Sequence, residues 1–171
     1  SKNLLITFHP VTLENATSKE QMLQLLCALK TLKNTKFIFT MPNADSDGRV
    51  LFPLVEDFVS QRPNNAIAFK SMGQTRYFSC MAIVDGIIGN SSSGLLEAPT
   101  FKKGTINIGD RQRGRLKADS VIDCEPNSNS INQALKRLYS KPFQKNIEQV
   151  VNPYGSPGAS EKIVEILQEK S

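Results

Sequence analysis

The sequence predicts an α/β domain of the doubly wound, Rossmann-like kind, a parallel sheet with helices on both faces. Three observations carry that expectation. Short runs that are apolar throughout recur along the chain, as strands buried on both faces require. Segments with apolar residues at three- and four-residue spacing separate those runs. Turn residues cluster directly after the runs, where an open α/β sheet places its ligands.

Leu4-Leu5-Ile6-Thr7-Phe8 reads as the first buried strand, ended by His9-Pro10. Ser18 is placed to cap a helix in which Met22, Leu25, Leu26, Leu29 and Leu32 share a face. Lys36 to Thr40 is the second strand, stopped by Pro42-Asn43, and Val50, Val55, Phe58 and Val59 mark a helix after Asp47-Gly48. Ala66 to Phe69 is a third strand, followed by a helix through Tyr77, Cys80 and Met81. Gly86 to Gly89 is a strand, Gly94 to Ala98 a helix, Thr105 to Ile108 a strand, and Val121-Ile122 a short strand. Helices over Ser130 to Tyr139 and Ala159 to Gln168 finish the chain. Helices of roughly 10 to 15 residues between parallel strands give right-handed crossovers.

Composition narrows the function. The chain has 171 residues, close to one domain, with 39% apolar and 22% charged residues, enough to close a core. A start at Ser1 with a strand pattern almost at once reads as one domain cut from a longer protein. No apolar run is long enough to span a membrane, and a secretory leader pattern is absent, so a cytoplasmic location is expected. Cys27, Cys80 and Cys124 lack CxxC spacing and read as buried free thiols in a reducing compartment. One histidine and no cysteine pair leave no ligand set for a metal, and nothing calls for a cofactor.

Lys plus Arg number 21 against 16 Asp plus Glu, a net charge of +5. The one dense cluster is Lys102, Lys103, Arg111, Arg113, Arg115 and Lys117, without aromatic residues among the arginines to stack bases. It suits a few phosphates better than a polynucleotide, and nucleic-acid binding is not expected.

Four loops follow strands: His9-Pro10, Pro42-Asn43, Ser71-Met72-Gly73 and Asn90 to Gly94. The last, Gly89-Asn90-Ser91-Ser92-Ser93-Gly94, is the strongest signal, because hydroxyls and unpaired amides at a helix start make an anion site. It is neither GxGxxG nor a P-loop. Glu97, read as first-turn, gains from the helix dipole or accepts hydrogen bonds from ribose hydroxyls. Arg111, after the next strand, offers a fork for phosphate oxygens. His9, at the end of the first strand, reads equally as a structural hydrogen-bond donor or, because histidine as a residue type suits proton transfer, as the one candidate general acid or base. Asp45 and Asp47 read as turn formers.

Taken in order, Phe8-His9-Pro10-Val11-Thr12, Pro42-Asn43-Ala44-Asp45, Gly89 to Gly94 with Glu97, Ile106-Asn107-Ile108-Gly109-Asp110-Arg111-Gln112, and Asn152-Pro153-Tyr154-Gly155 with Gly158-Ala159-Ser160 form one pattern. That pattern resembles the C-terminal domain of the hydrolysing UDP-N-acetylglucosamine 2-epimerases, the sialic-acid-pathway branch of their family. The resemblance covers essentially the whole chain. It implies that residues 1–171 are the nucleotide-binding half of a GT-B-like, two-domain, homo-oligomeric enzyme whose N-terminal half is not in this chain. It implies conversion of UDP-GlcNAc and water to N-acetylmannosamine and UDP through a 2-acetamidoglucal. On this sequence it implies Ser91 and Ser92 at the diphosphate, Glu97 at the ribose, Arg111 at the nucleotide, His9 near the sugar and leaving group, and the backbone of Ser71-Met72-Gly73 at the uracil. Ser91-Ser92-Ser93 in place of a glycine-rich loop disfavours the non-hydrolysing branch. The catalytic carboxylates and a phosphate-binding arginine of the missing half imply that this chain alone binds UDP weakly and turns over nothing. Relatives acting on a UDP-diacetamido-trideoxy sugar, a GT-B glycosyltransferase using the same nucleotide, and a non-catalytic UDP-binding module are the alternatives.

Overall fold

The computed structural model describes residues 1–11, 15–41, 48–155 and 158–169. The order of elements is β1 (Lys2–Thr7), α1 (Asn15–Lys30), β2 (Thr35–Thr40), a 3₁₀ turn (Gly48–Val50), α2 (Phe52–Ser60), β3 (Ala66–Phe69) and α3 (Gly73–Ile83). There follow β4 (Gly86–Gly89), α4 (Ser93–Leu96), β5 (Thr105–Ile108), β6 (Val121–Cys124), α5 (Ser128–Leu138), α6 (Lys141–Ile147) and α7 (Ala159–Glu169). All six strands are parallel, in the order β3-β2-β1-β4-β5-β6. The expected doubly wound, Rossmann-like α/β sheet is therefore present. Strand order reverses between β1 and β4, so their carboxyl ends flank the crevice where such sheets bind ligands.

Alternation along the strands distributes the core between two layers. Leu4 and Ile6 of β1 face one side with Phe37 and Phe39 of β2, against buried residues of α1, α2, α5 and α6. Phe58 of α2 meets the Phe37 and Phe39 rings edge-on, with centroids 5.6 and 5.5 Å away. Leu5 and Ile87 face the other side, against Cys80, Met81 and Val84 from α3 and its end, with Ala98 just after α4. Asn127 caps α5 by accepting from the Ser130 amide at 2.9 Å, and Ile131, Ala134, Leu135 and Leu138 form its buried stripe.

Several expectations are corrected. Ser18 does not cap α1, which begins at Asn15; its buried hydroxyl instead accepts from the Val11 amide at 2.9 Å and fastens the chain leaving β1. The connecting helices are less uniform than 10 to 15 residues: α4 is a single turn, and no helix lies between β5 and β6. Helix α6 was not expected; Pro142 in its first turn and the buried Phe143 and Ile147, one turn apart, hold it against the core. Of the cysteines only Cys80 is fully buried, and Cys27 lies exposed on α1.

Candidate functional site

The site is set by the pairing of β1 with β4. Gly89, the last residue of β4, lies opposite Thr7, the last of β1, with φ +147°. A Cβ there would stand 1.9 Å from the Thr7 carbonyl oxygen, so only glycine closes this rung. Asn90, 1% exposed, then turns back over the gap. Its Oδ1 accepts from the His9 amide at 2.7 Å, and its Nδ2 donates to the His9 carbonyl at 2.8 Å. The Asn90 carbonyl in turn accepts from Gln112 Nε2 at 2.8 Å and from Arg111 Nη1 at 3.3 Å. Asn90 thus ties the exit of β4 to that of β1 through its amide side chain and to that of β5 through its backbone carbonyl. Sequence reasoning counted Asn90 only as a loop residue.

The serines follow. Ser92 is the residue before α4 and makes no capping bond with its side chain; Ser91 and Ser92 are both half-exposed. The Ser93 amide points to Ser91 Oγ at 3.4 Å, whereas among the described residues the Ser91 and Ser92 amides have no acceptor. The two hydroxyls of Ser91 and Ser93 lie 3.2 Å apart. Tyr77 of α3 reaches Ser93 Oγ at 2.5 Å and Thr7 Oγ1 at 3.3 Å, and Thr7 Oγ1 meets Thr40 Oγ1 at 2.7 Å. The expected macrodipole contribution is weak, because α4 has only four residues. Hydroxyls and loop amides remain as the anion-binding groups.

Glu97 sits at the end of α4, not in its first turn, so the dipole does not favour its charge. One of its oxygens, Oε2, is buried without a hydrogen-bond partner among the described residues. Burial raises the carboxyl above its ordinary range, partly offset by its own backbone amide. An orphaned buried acceptor is costly, and a donor hydroxyl on a ligand would relieve it. Burial, and secondarily Arg115, lowers the Arg111 guanidinium, which still stays protonated at neutral pH.

The structure therefore brings His9, Ser91, Ser92 and Arg111 together about Asn90 at the carboxyl ends of β1, β4 and β5, with His9 half-buried. The Ser71-Met72-Gly73 segment lies at the exit of β3, two strands away in the sheet. There the Gly73 amide points to Ser71 Oγ at 3.4 Å and Met72 packs on the α3 core, and Tyr77, one turn on, links that helix to the serines. Thr12 and Pro42-Asn43-Ala44-Asp45, with Asp47, lie outside the described residues. The basic cluster does not act as one patch: Lys102 Nζ donates to the Val150 carbonyl, Lys117 pairs with Asp123 at 2.8 Å, and Arg111 turns to Asn90. An open groove of about 590 Å³ beyond β5 and β6 adjoins the Arg111 turn, but Asp110, Asp123 and Glu125 line it with Arg113 and Lys117, a mixed set poorly suited to an anion. Among the described residues no three His, Cys, Asp or Glu side chains converge on a metal position, and no helix is long and apolar enough to cross a membrane.

A sequence profile of the family described as UDP-N-acetylglucosamine 2-epimerase matches residues 1–168. The chain is 42% identical over 142 residues to the GDP/UDP-N,N'-diacetylbacillosamine 2-epimerase (hydrolyzing) of Campylobacter jejuni, a match covering 83% of this chain and 36% of the relative. It is 34% identical over 166 residues to the polysialic acid biosynthesis protein P7 of Escherichia coli, covering 96% and 42%. The chain thus spans less than half the length of these curated relatives. In fold it matches the S. aureus MnaA–UDP structure with a TM-score of 0.79 at 16% identity, over 99% of this chain and 45% of the other.

Proposed function

The chain belongs to the UDP-N-acetylglucosamine 2-epimerase family, among its hydrolysing members, and on that premise we propose that it is the nucleotide-binding half of a hydrolysing 2-epimerase acting on a nucleotide-linked diacetamido-trideoxy sugar. The observation that carries this substrate class is the 42% identity to the diacetylbacillosamine enzyme. It displaces UDP-GlcNAc and sialic acid synthesis, expected from sequence, to the second reading, which the likeness to protein P7 supports. The nucleotide is UDP or GDP, since the C. jejuni relative is named for both.

In this reading Ser91 and Ser92 donate hydroxyl and amide protons to the diphosphate, and Arg111 adds positive charge beside it. Glu97 accepts from the ribose hydroxyls, which satisfies its orphaned oxygen. The backbone of Ser71-Met72-Gly73 reads the base, and His9 lies by the sugar and leaving group. A base removes the C2 proton as the C1–O bond to the diphosphate breaks, leaving a glycal. Water then adds across the double bond, hydroxyl to C1 and proton to the opposite face of C2. The products are the epimeric free sugar and the nucleoside diphosphate. His9 alone is a poor candidate for both base and leaving-group stabiliser, so we assign the remaining catalytic groups to an N-terminal half. An exposed apolar stripe on α7, Ile163, Ile166 and Leu167, is the kind of surface a second domain covers. The whole enzyme is then cytoplasmic and homo-oligomeric.

The test is to supply full-length protein with UDP- and GDP-linked N,N'-diacetylbacillosamine and with UDP-GlcNAc, following free sugar by NMR. Preferred release of the 2-epimer from a diacetamido substrate is expected. Preference for UDP-GlcNAc would install the second reading, and binding without any turnover would leave a non-catalytic module. Free sugar released by the isolated chain would refute the division of labour between halves.

A further inference from the structure

Five hydroxyls run in a line across the carboxyl edge of the sheet, Thr40, Thr7, Tyr77, Ser93 and Ser91, drawn from β2, β1, α3 and the loop and first turn of α4. We propose that Tyr77 is a positioning residue for the diphosphate: its phenolic proton goes to Ser93, which orients the Ser93 proton to Ser91 and leaves the Ser91 proton pointing outward to a phosphate oxygen. The inference rests on the nucleotide reading of the serine loop and names a residue that reading did not use.

Proton counting allows either direction along these contacts, and contact length and donor strength choose between them. Each hydroxyl has one proton to give. Thr40 donates to the Ile6 carbonyl at 3.4 Å, which leaves its oxygen to accept from Thr7 at 2.7 Å. Thr7 has then spent its proton, so Tyr77 can donate to Thr7 at 3.3 Å or to Ser93 at 2.5 Å, and the shorter contact favours Ser93. The contact left without a proton is Thr7 to Tyr77, and at 3.3 Å it is the longest of the four hydroxyl contacts. Donor strength favours the same choice, because a phenol is more acidic than an alkyl hydroxyl and is the stronger donor in the shortest contact. With the opposite direction, Ser91 would donate inward and meet an anion with lone pairs. Chained hydroxyls polarise one another, so an anion at the end strengthens the arrangement that suits it.

Tyr77 also has an ordinary structural part, since its half-buried ring packs beside the core of α3. Tyr77→Phe keeps that ring and removes only the proton. In full-length protein, calorimetric titration should show UDP affinity about three- to tenfold weaker for Tyr77→Phe, the scale of one ordinary hydrogen bond between neutral groups. Ser93→Ala, which cuts the same chain one link on, should give a similar loss. Placed on Ser91→Ala, where the outward donor is gone, Tyr77→Phe should change UDP affinity by less than about twofold, as expected for groups acting through one another. An equal loss from Tyr77→Phe in both backgrounds would show a structural role and overturn the proposal. No loss from Tyr77→Phe, with UDP still bound by the unsubstituted protein, would overturn it alone. Failure of the unsubstituted full-length protein to bind UDP would overturn the nucleotide reading beneath it.

Discussion

Replacing Gly89 by alanine tests whether the β1–β4 rung governs both stability and the site. The added Cβ would lie 1.9 Å from the Thr7 carbonyl oxygen, more than an ångström inside any ordinary contact, and 2.6 Å from its carbon. Both atoms are backbone of the central strand, so no side chain can swing away. At φ +147° the alanine is itself strained, which adds cost of order 1–3 kcal/mol before any clash. Relief requires β1 and β4 to part at their last rung, losing packing and hydrogen bonding there, including the Asn90 amide to the Thr7 carbonyl at 3.2 Å. We expect a total near 3–5 kcal/mol, which in a chain of this size lowers Tm by roughly 6–20 °C. Gly109→Ala is the internal control. Its φ is +70°, yet nothing lies within 4 Å of the added carbon, so only the left-handed penalty of about 1–2 kcal/mol applies. Scanning calorimetry of both variants reads the difference, and titration with UDP reads the displacement of the serine loop. A Gly89→Ala protein that melts within about 2 °C of the parent, or no lower than Gly109→Ala, would refute the steric argument.

Asn90→Ala removes both side-chain bonds to His9 and should cost about 2–4 kcal/mol by thermal or urea unfolding, with UDP binding weakened as the exits of β1 and β4 loosen. For Glu97 the sign follows from its raised carboxyl. The folded state holds that proton more tightly than the unfolded state, so its contribution is most favourable at low pH. It falls as pH rises from the ordinary value of 4.5 through the raised one. Melting curves of Glu97→Gln should therefore gain on the parent over that window and run parallel to it above; a constant offset from pH 4 to 7 would contradict the raised carboxyl. Thiol alkylation at pH 8 should label Cys27 first. Burial, then Asp123 and Glu125, push Cys124 up to about 12, burial alone raises Cys80, and mass spectrometry of early time points should find both unmodified.

The sheet was legible in the sequence because runs such as Leu4 to Ile6 and Ile87-Ile88 are buried on both faces and so carry no polar interruption. Elements whose form depends on neighbours were not. α4 is cut to one turn where Glu97 leaves the helix, and α6 owes its place to Phe143 and Ile147 finding the core. In the candidate site, residue types and loops could be read, since turn residues after strands mark the ligand edge. The partners could not. Asn90 meets His9, 81 residues away, and Tyr77 meets Thr7, 70 residues away. Both encounters depend on β4 lying beside β1, a fact of strand order that local periodicity does not contain.

That same adjacency has a kinetic side. β1 has one neighbour close in sequence, β2, and one that closes a very long loop, as when the Asn3 amide meets Asp85, 82 residues on. Closing such a loop costs chain entropy before any contact rewards it, so the β1–β4 seam should form late, after β1, β2 and β3 have paired with α1 and α2 around them. On the ribosome the inner edge of β1 would stay open until β4 emerged, a transient liability for pairing with another chain. The crevice between the two strands is thus the last seam to shut, and acquisition of nucleotide affinity during refolding would mark the moment at which the sheet becomes whole.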